Sequence, residues 1–170
     1  AITTGDPTLA ARLRRLRNGG QTDRYHHGEF GVNSRLDEMQ AAVLRARLAR
    51  LPRWTQQRRA LAAEYRRRLA GSSVTVPPAR DPGHVYHLFP VLSPRRTAHQ
   101  GYLKSGGVET LIHYPVPIPR QPALRSERPA DCPVANRVCD EVFSLPLHPR
   151  MRPDAIEEVA AALRAFDAVL

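Results

Sequence analysis

The chain has 170 residues and a formal charge of +10, long enough for one domain with a real core. All but one of its 26 basic residues are arginine, the exception being Lys104, and they are spread along helical stretches (Arg45, Arg47, Arg50, Arg53; Arg58, Arg59, Arg66, Arg67, Arg68) without interleaved aromatics. That distribution fits solvated helix faces and argues against a nucleic-acid binder, while the lack of any apolar run near the roughly 18 residues of a membrane span argues against a transmembrane segment.

Residues 1–5 read as a short strand ending in a turn. A natural domain seldom starts inside an element, so the chain is expected to be the C-terminal part of a longer protein. Asp6 as N-cap and Pro7 at the first helical position open a helix that Gly19 and Gly20 stop after about residue 18. Leu9, Leu13 and Leu16 give it an apolar stripe. The loop over 19–33 is long and polar, with Tyr25, His26 and His27 at its centre, and loops of this length are commonly functional. Adjacent histidines point apart and no carboxylate or cysteine stands at ligand spacing, so no metal site is expected there.

Ser34 and Asp37 have the spacing of a capping box, which predicts a helix beginning at residue 35. Asn33 and Arg35 would then lie at a helix N-terminus, where free N–H groups and the positive end of the helix dipole favour a phosphate or carboxylate. The plain alternative is a capped surface helix with no guest. Leu36, Met39, Val43, Leu44, Leu48 and Leu51 extend the helical spacing to residue 51. Pro52 predicts a break before a second helix over 54–69, ended by Gly71-Ser72-Ser73. A long broken helix of this kind commonly joins a large domain to a smaller one, which divides the chain at 1–52 and 53–170.

Residues 74–76 and 85–92 read as strands, with Pro90 marking an edge or irregularity. His84 and His87 would face opposite sides of such a strand, which argues against a metal pair. A helix over 95–105 stopped by Gly106-Gly107 and a strand over 108–112 follow. The run His113-Tyr114-Pro115-Val116-Pro117-Ile118-Pro119 is a stiff loop presenting an imidazole and a phenol, suited to a polar ligand or merely to packing. A short helix over 134–142 would hold Cys132 and Cys139 about two turns apart, too far for a bridge, so they read as buried free thiols of a reducing, cytoplasmic compartment. Residues 144–149 read as extended. The last helix, 153–166, would bury Ile156, Val159, Ala160, Leu163 and Phe166.

Three stretches, in order, resemble a known family. Gly31-Val32-Asn33-Ser34-Arg35-Leu36-Asp37-Glu38-Met39-Gln40-Ala41-Ala42 is similar to the G-x-N-x-R-x-D-x-x-Q-A-A signature of the DegT/DnrJ/StrS sugar aminotransferases. His113-Tyr114-Pro115-Val116-Pro117 resembles their H-Y-P-x-P loop, and Ser144-Leu145-Pro146-Leu147-His148-Pro149 their S-L-P-x-x-P segment. Many members continue the loop as L-H where this chain has Ile118 and Pro119, which bears on substrate more than on reaction class.

The resemblance implies an α+β fold, the C-terminal part of a fold-type I aminotransferase. It implies pyridoxal 5'-phosphate as cofactor, a nucleotide-sugar substrate, an amino-acid amine donor and a homodimer sharing its site across subunits. It implies that Asn33, with Arg35 beside it, reaches the cofactor phosphate of the partner subunit, and that Tyr25, His113 and Tyr114 line the sugar-nucleotide side. It makes His87 structural rather than catalytic. The family's cofactor lysine lies before the point where this chain begins, and Lys104 does not match it, so the chain alone is expected not to transaminate. Two other readings stand beside this one: a non-catalytic binding or regulatory relative, and an aminotransferase for a cyclic, non-nucleotide ketone. An in-frame domain upstream with a lysine shortly before Ala1 would favour catalysis.

Overall fold

The opening helix forms where its capping residues place it. In the computed structural model, which describes residues 2–124 and 130–168, α1 spans Pro7–Leu16. Asp6 Oδ1 accepts from the N–H groups of Thr8 (2.8 Å) and Leu9 (3.1 Å), two of the donors the first turn leaves unpaired. Residues 2–5 do not form the expected strand: Thr4 turns its hydroxyl to the Asp6 N–H instead, while Ala1 lies outside the described residues.

The second helix starts later than the capping box predicts. α2 is Glu38–Leu48, with Asp37 as an N-cap that makes no side-chain cap bond. The reason lies in α1. Ser34 donates its backbone N–H to the Arg17 carbonyl at 2.8 Å, and Asn33 bridges antiparallel to Asn18, so residues 33 and 34 are held extended and cannot enter a helical turn. Asn33 and Arg35 therefore do not sit at the N-terminus of α2.

α2 ends at Leu48, and α3, Leu51–Arg68, begins before Pro52 rather than after it. Proline is in the first turn of α3, where its missing N–H has no intrahelical partner to lose. The chain divides into two compact units, Ala1–Arg50 and Leu51–Leu170.

The second unit contains all the buried apolar side chains found among the described residues. Strand β1, Phe89–Leu92, pairs antiparallel with β2, Val142–Leu145, in the register Phe89 to Leu145 and Leu92 to Val142. The strand expected over 85–92 is halved because Tyr86 has φ +48°, a left-handed conformation that leaves the β path. The strands expected at 74–76 and 108–112 shrink to single bridges, Thr75 to Leu92 and Leu111 to Ser144, on the two outer sides of the pair. Leu92 exchanges both backbone bonds with Thr75, so the alternate residue Pro90 also turns its nitrogen away from β2, and no ladder bond is lost there.

Three helices follow the same logic. α4, Arg96–Ser105, stops at Gly106, and Gly107 has φ +79°. α5, Pro133–Glu141, leads into β2, and its cysteines are half-buried free thiols rather than buried ones, Cys132 being the N-cap. α6, Pro153–Ala168, packs against α3 and α4. Its expected stripe is in place: Ile156, Val159, Ala160 and Leu163 are buried and Phe166 is half-buried, and they meet Leu61, Ala62 and Tyr65 of α3 in the core together with the inner sheet residues Phe89 and Phe143.

The arginines of α3 are not simply a solvated face. Arg59 donates to the His84 carbonyl at 2.9 Å, Arg58 to the Tyr86 carbonyl at 3.4 Å and Arg66 to the Pro77 carbonyl, so three of them pin the 77–88 loop. Arg67 and Arg68 pair with Glu64, and Arg68 also with Glu157 on α6.

Candidate functional site

The residues singled out from the sequence fall on both units. In the first, the path from α1 to Asn33 depends on two close backbone crossings. Gly19 donates to Val32 O at 3.0 Å, Gly28 to Gly20 O at 3.0 Å and Val32 to Leu16 O at 2.8 Å. Gly20 is buried at φ +75°, and a Cβ there would stand 1.6 Å from the Glu29 carbonyl oxygen. A Cβ on Gly31 would meet Gly20 N at 2.2 Å and Leu16 O at 2.5 Å. The glycine of the G-x-N motif is thus required by packing of backbone on backbone, and it delivers Asn33 two residues later. Glu29 fastens the same loop to α1 by accepting from Arg12 Nε (3.0 Å) and Arg15 Nε (3.2 Å), and these guanidiniums, Arg12 foremost, hold its carboxyl below the usual range.

Asn33 and Arg35 are both exposed, and neither side chain makes a hydrogen bond or ion pair among the described residues. Together they offer an amide and a guanidinium, donors suited to an anionic oxygen. Tyr25 is 75% exposed, with the Arg24 guanidinium 5.4 Å from its ring centroid. Its neighbours are tied down locally: His26 Nδ1 is 2.7 Å from Asp23 Oδ1, a contact that is the chief cause of the lowered Asp23 pKa, and His27 Nδ1 donates to the Gly19 carbonyl at 2.8 Å.

In the second unit, His113 and Tyr114 are brought together edge to face, with ring centroids 5.7 Å apart. The backbone bends at His113 and again at Pro115 and Val116, is extended at Pro117 and then enters a short 3-10 turn at Ile118–Arg120, so the prolines do not hold the loop extended as the sequence suggests. His113 lines a groove of about 460 Å³ that also takes in His87, Ser144, His148 and Glu158 over an apolar floor from Leu145 and Val159. That volume lies in the range of small-molecule clefts. His87, expected to be structural, is exposed on the groove wall. Sequence reasoning missed the role of Ser144, whose Oγ is 3.0 Å from His113 Nδ1; the signal was a polar residue in a strand that is otherwise apolar. It also missed His99, fully buried on α4. Lys104 is exposed on α4, and among the described residues no three of His, Cys, Asp and Glu gather as a metal would need.

Residues 1–164 match the model of the DegT/DnrJ/EryC1/StrS aminotransferase family. The chain belongs to that family. A dTDP-3-amino-3,4,6-trideoxy-alpha-D-glucose transaminase of Streptomyces venezuelae is 47% identical over 99% of this chain, and a dTDP-3-amino-3,6-dideoxy-alpha-D-galactopyranose transaminase of Aneurinibacillus thermoaerophilus is 40% identical over 98%. The chain spans 44% and 46% of those two relatives' lengths. Among solved family structures, the S. venezuelae protein DesV in complex with a ketimine intermediate superposes with a TM-score of 0.84 at 46% identity, over 96% of this chain and 45% of that one. The aminotransferase TlmJ of Streptoalloteichus hindustanus gives 0.85 at 29% identity, over 97% and 46%. The helices and small antiparallel sheet described above are thus the aminotransferase fold over a little under half its length.

Proposed function

We propose that this chain is the C-terminal part of a pyridoxal-phosphate-dependent aminotransferase that converts a keto group of a nucleotide-linked sugar to an amine, with an amino acid as donor. What carries the reading is the near-complete match of the chain to transaminases named for dTDP-sugars. Residues 1–52 would close the large cofactor domain and 53–170 form the small one, in a protein of the cytoplasm; among the described residues no helix is long and apolar enough to cross a membrane.

The residues present fit one end of the cofactor. Asn33 and Arg35 supply uncommitted donors for its phosphate, contributed without help from the α2 dipole, which begins at Glu38. When bound, pyridoxal phosphate supplies the electron sink for moving an amino group. On this reading the amine that holds its aldehyde is not Lys104, the single lysine of the sequence, which lies near the end of α4. The chain's own contribution is binding: Asn33 and Arg35 anchor phosphate, while Tyr25, His113 and Tyr114 offer ring faces and polar tips to the sugar nucleotide.

A homodimer accords with the surface of α2. Met39 (83% exposed) and Leu48 (64%) belong to an apolar row that no described residue covers. Sedimentation of the complete protein as a dimer is expected, and a monomer with full activity would overturn the shared site.

Replacing Asn33 by Ala in the complete protein should weaken retention of pyridoxal phosphate; unchanged affinity would remove Asn33 from the phosphate site. Given cofactor, a dTDP-keto-sugar and glutamate, the 170-residue chain by itself should not turn over, and measurable amine product would refute that.

A further inference from the structure

All four residues of β2 are buried, and three of them are apolar. Ser144 is the exception, and a hydroxyl in such a strand needs a partner. Its backbone exchanges bonds with Leu111, Ser144 N–H to Leu111 O at 2.7 Å and Leu111 N–H to Ser144 O at 3.4 Å. Its side chain then meets His113, two residues further along the same segment, with Oγ 3.0 Å from Nδ1. One residue of the sheet therefore fixes both the backbone that leads to the imidazole and the imidazole itself.

The direction of that bond follows from counting protons. A serine hydroxyl has one proton to give, and among the described residues His113 Nδ1 is the side-chain partner of Ser144 Oγ. If Nδ1 carried the imidazole proton, the hydroxyl proton would have no side-chain acceptor among the described residues and would depend on the groove that Ser144 also lines, which loses the bond that holds the ring. With Nδ1 accepting, both groups are satisfied and the ring proton sits on Nε2. Nε2 has no partner among the described residues, and the ring lines the groove.

We infer that Ser144 is a positioning residue: it holds His113 in the Nε2–H tautomer, so that the groove presents a hydrogen-bond donor to an oxygen of the ligand, a hydroxyl or phosphoryl oxygen. The ligand clause rests on the nucleotide-sugar reading; the tautomer does not. The serine of the S-L-P segment and the histidine of the H-Y-P loop thus form one device, the first setting which hydrogen-bonding character the second shows.

Imidazole 15N NMR of the complete protein in its cofactor-free form, at a pH where histidines are neutral, reads the tautomer without cofactor or substrate. The expected wild-type pattern for His113 is Nε2–H. Ser144→Ala should let the two tautomers interconvert, and Ser144→Thr, which keeps the hydroxyl, should restore the original pattern. A wild-type Nδ1–H pattern, or an unchanged pattern in Ser144→Ala, overturns the proposal; should the alanine variant not fold, the wild-type spectrum decides alone. In the complete enzyme Ser144→Ala should raise KM for the nucleotide sugar by about tenfold, with cofactor retention unchanged. A shifted tautomer with an unmoved KM would overturn the ligand clause and leave the aminotransferase reading intact.

Discussion

Ser73 Oγ lies 2.9 Å from His99 Nε2 and donates to Asp167 Oδ1, so a serine, a histidine and an aspartate meet where the turn after α3, the body of α4 and the end of α6 converge. The trio has the composition of a nucleophilic triad without its wiring: the carboxylate accepts from the serine directly, and the imidazole is fully buried, with Nδ1 3.1 Å from Ser93 Oγ and 3.2 Å from the Arg95 carbonyl. It is a clamp within the second unit.

His99→Ala should therefore destabilise the fold by about 2–4 kcal/mol, through a cavity and the Ser93 hydroxyl left without its imidazole partner, and Ser73→Ala by about 1 kcal/mol. Urea denaturation measures both. Full stability in His99→Ala would refute the clamp.

Tyr65 stacks on Phe89 at 4.8 Å and donates its hydroxyl to the Pro146 carbonyl at 2.9 Å, directly after the Ser144-Leu145 pair. Burial pushes its phenol well above the ordinary tyrosine range, so it stays a donor through the whole working pH range. Tyr65→Phe should cost about 1 kcal/mol in denaturation midpoint, whereas Tyr65→Ala should cost about 3–5 kcal/mol. Equal losses for the two would show that the hydroxyl is immaterial.

Glu64 is held down to about 2 by Arg67 and then Arg68, against an ordinary glutamate value of 4.5. A depressed folded-state pKa stabilises the folded form above the unfolded pKa, and that stabilisation is lost as pH falls from about 4.5 toward about 2. Stability measured across this window should fall less steeply in Glu64→Gln. Because the carboxylate is only partly buried, with 28% of its side chain accessible, high salt should flatten the wild-type slope as well. Identical slopes with and without Glu64 would count against this pairing.

Ser34→Ala and Asp6→Ala separate a motif from its geometry. The Ser34 side chain makes no cap bond, so its loss should change stability by no more than about 0.5 kcal/mol. Asp6 Oδ1 caps two N–H groups, and Asp6→Ala should cost α1 about 1 kcal/mol, seen as faster amide exchange at Thr8 and Leu9. Comparable effects from the two would restore the capping box.

Gly31→Ala should disturb the first unit more than either, because its Cβ would collide with the backbone of Gly20 and Leu16. In the complete protein the expected outcome is weakened cofactor retention without any change at Asn33 itself. Unaltered retention would mean that the loop can shift without moving the asparagine.

What the sequence by itself determined was local or repetitive. A cap and a proline started α1, the pair Gly106-Gly107 stopped α4, and a four-residue rhythm of Ile156, Val159, Ala160 and Leu163 set the buried face of α6, whereas α1 ends at Leu16, ahead of Gly19-Gly20. These signals act within one or two turns and survive without knowledge of the rest. The three ordered motifs likewise carried the family.

Tertiary structure decided everything that needed a partner distant in the chain. The capping box at Ser34 lost to the Arg17 carbonyl, because a backbone bond to α1 holds the segment extended. The strand before Phe89 gave way to a loop pinned by α3 arginines, whose pattern on the helix looked only like a solvated face. Ser144 and His113 are 31 residues apart: a lone hydroxyl in an apolar strand signals that a partner is needed, but neither local pattern says that the partner is this imidazole. A hydrogen bond across that separation becomes visible only when the sheet has brought both ends together.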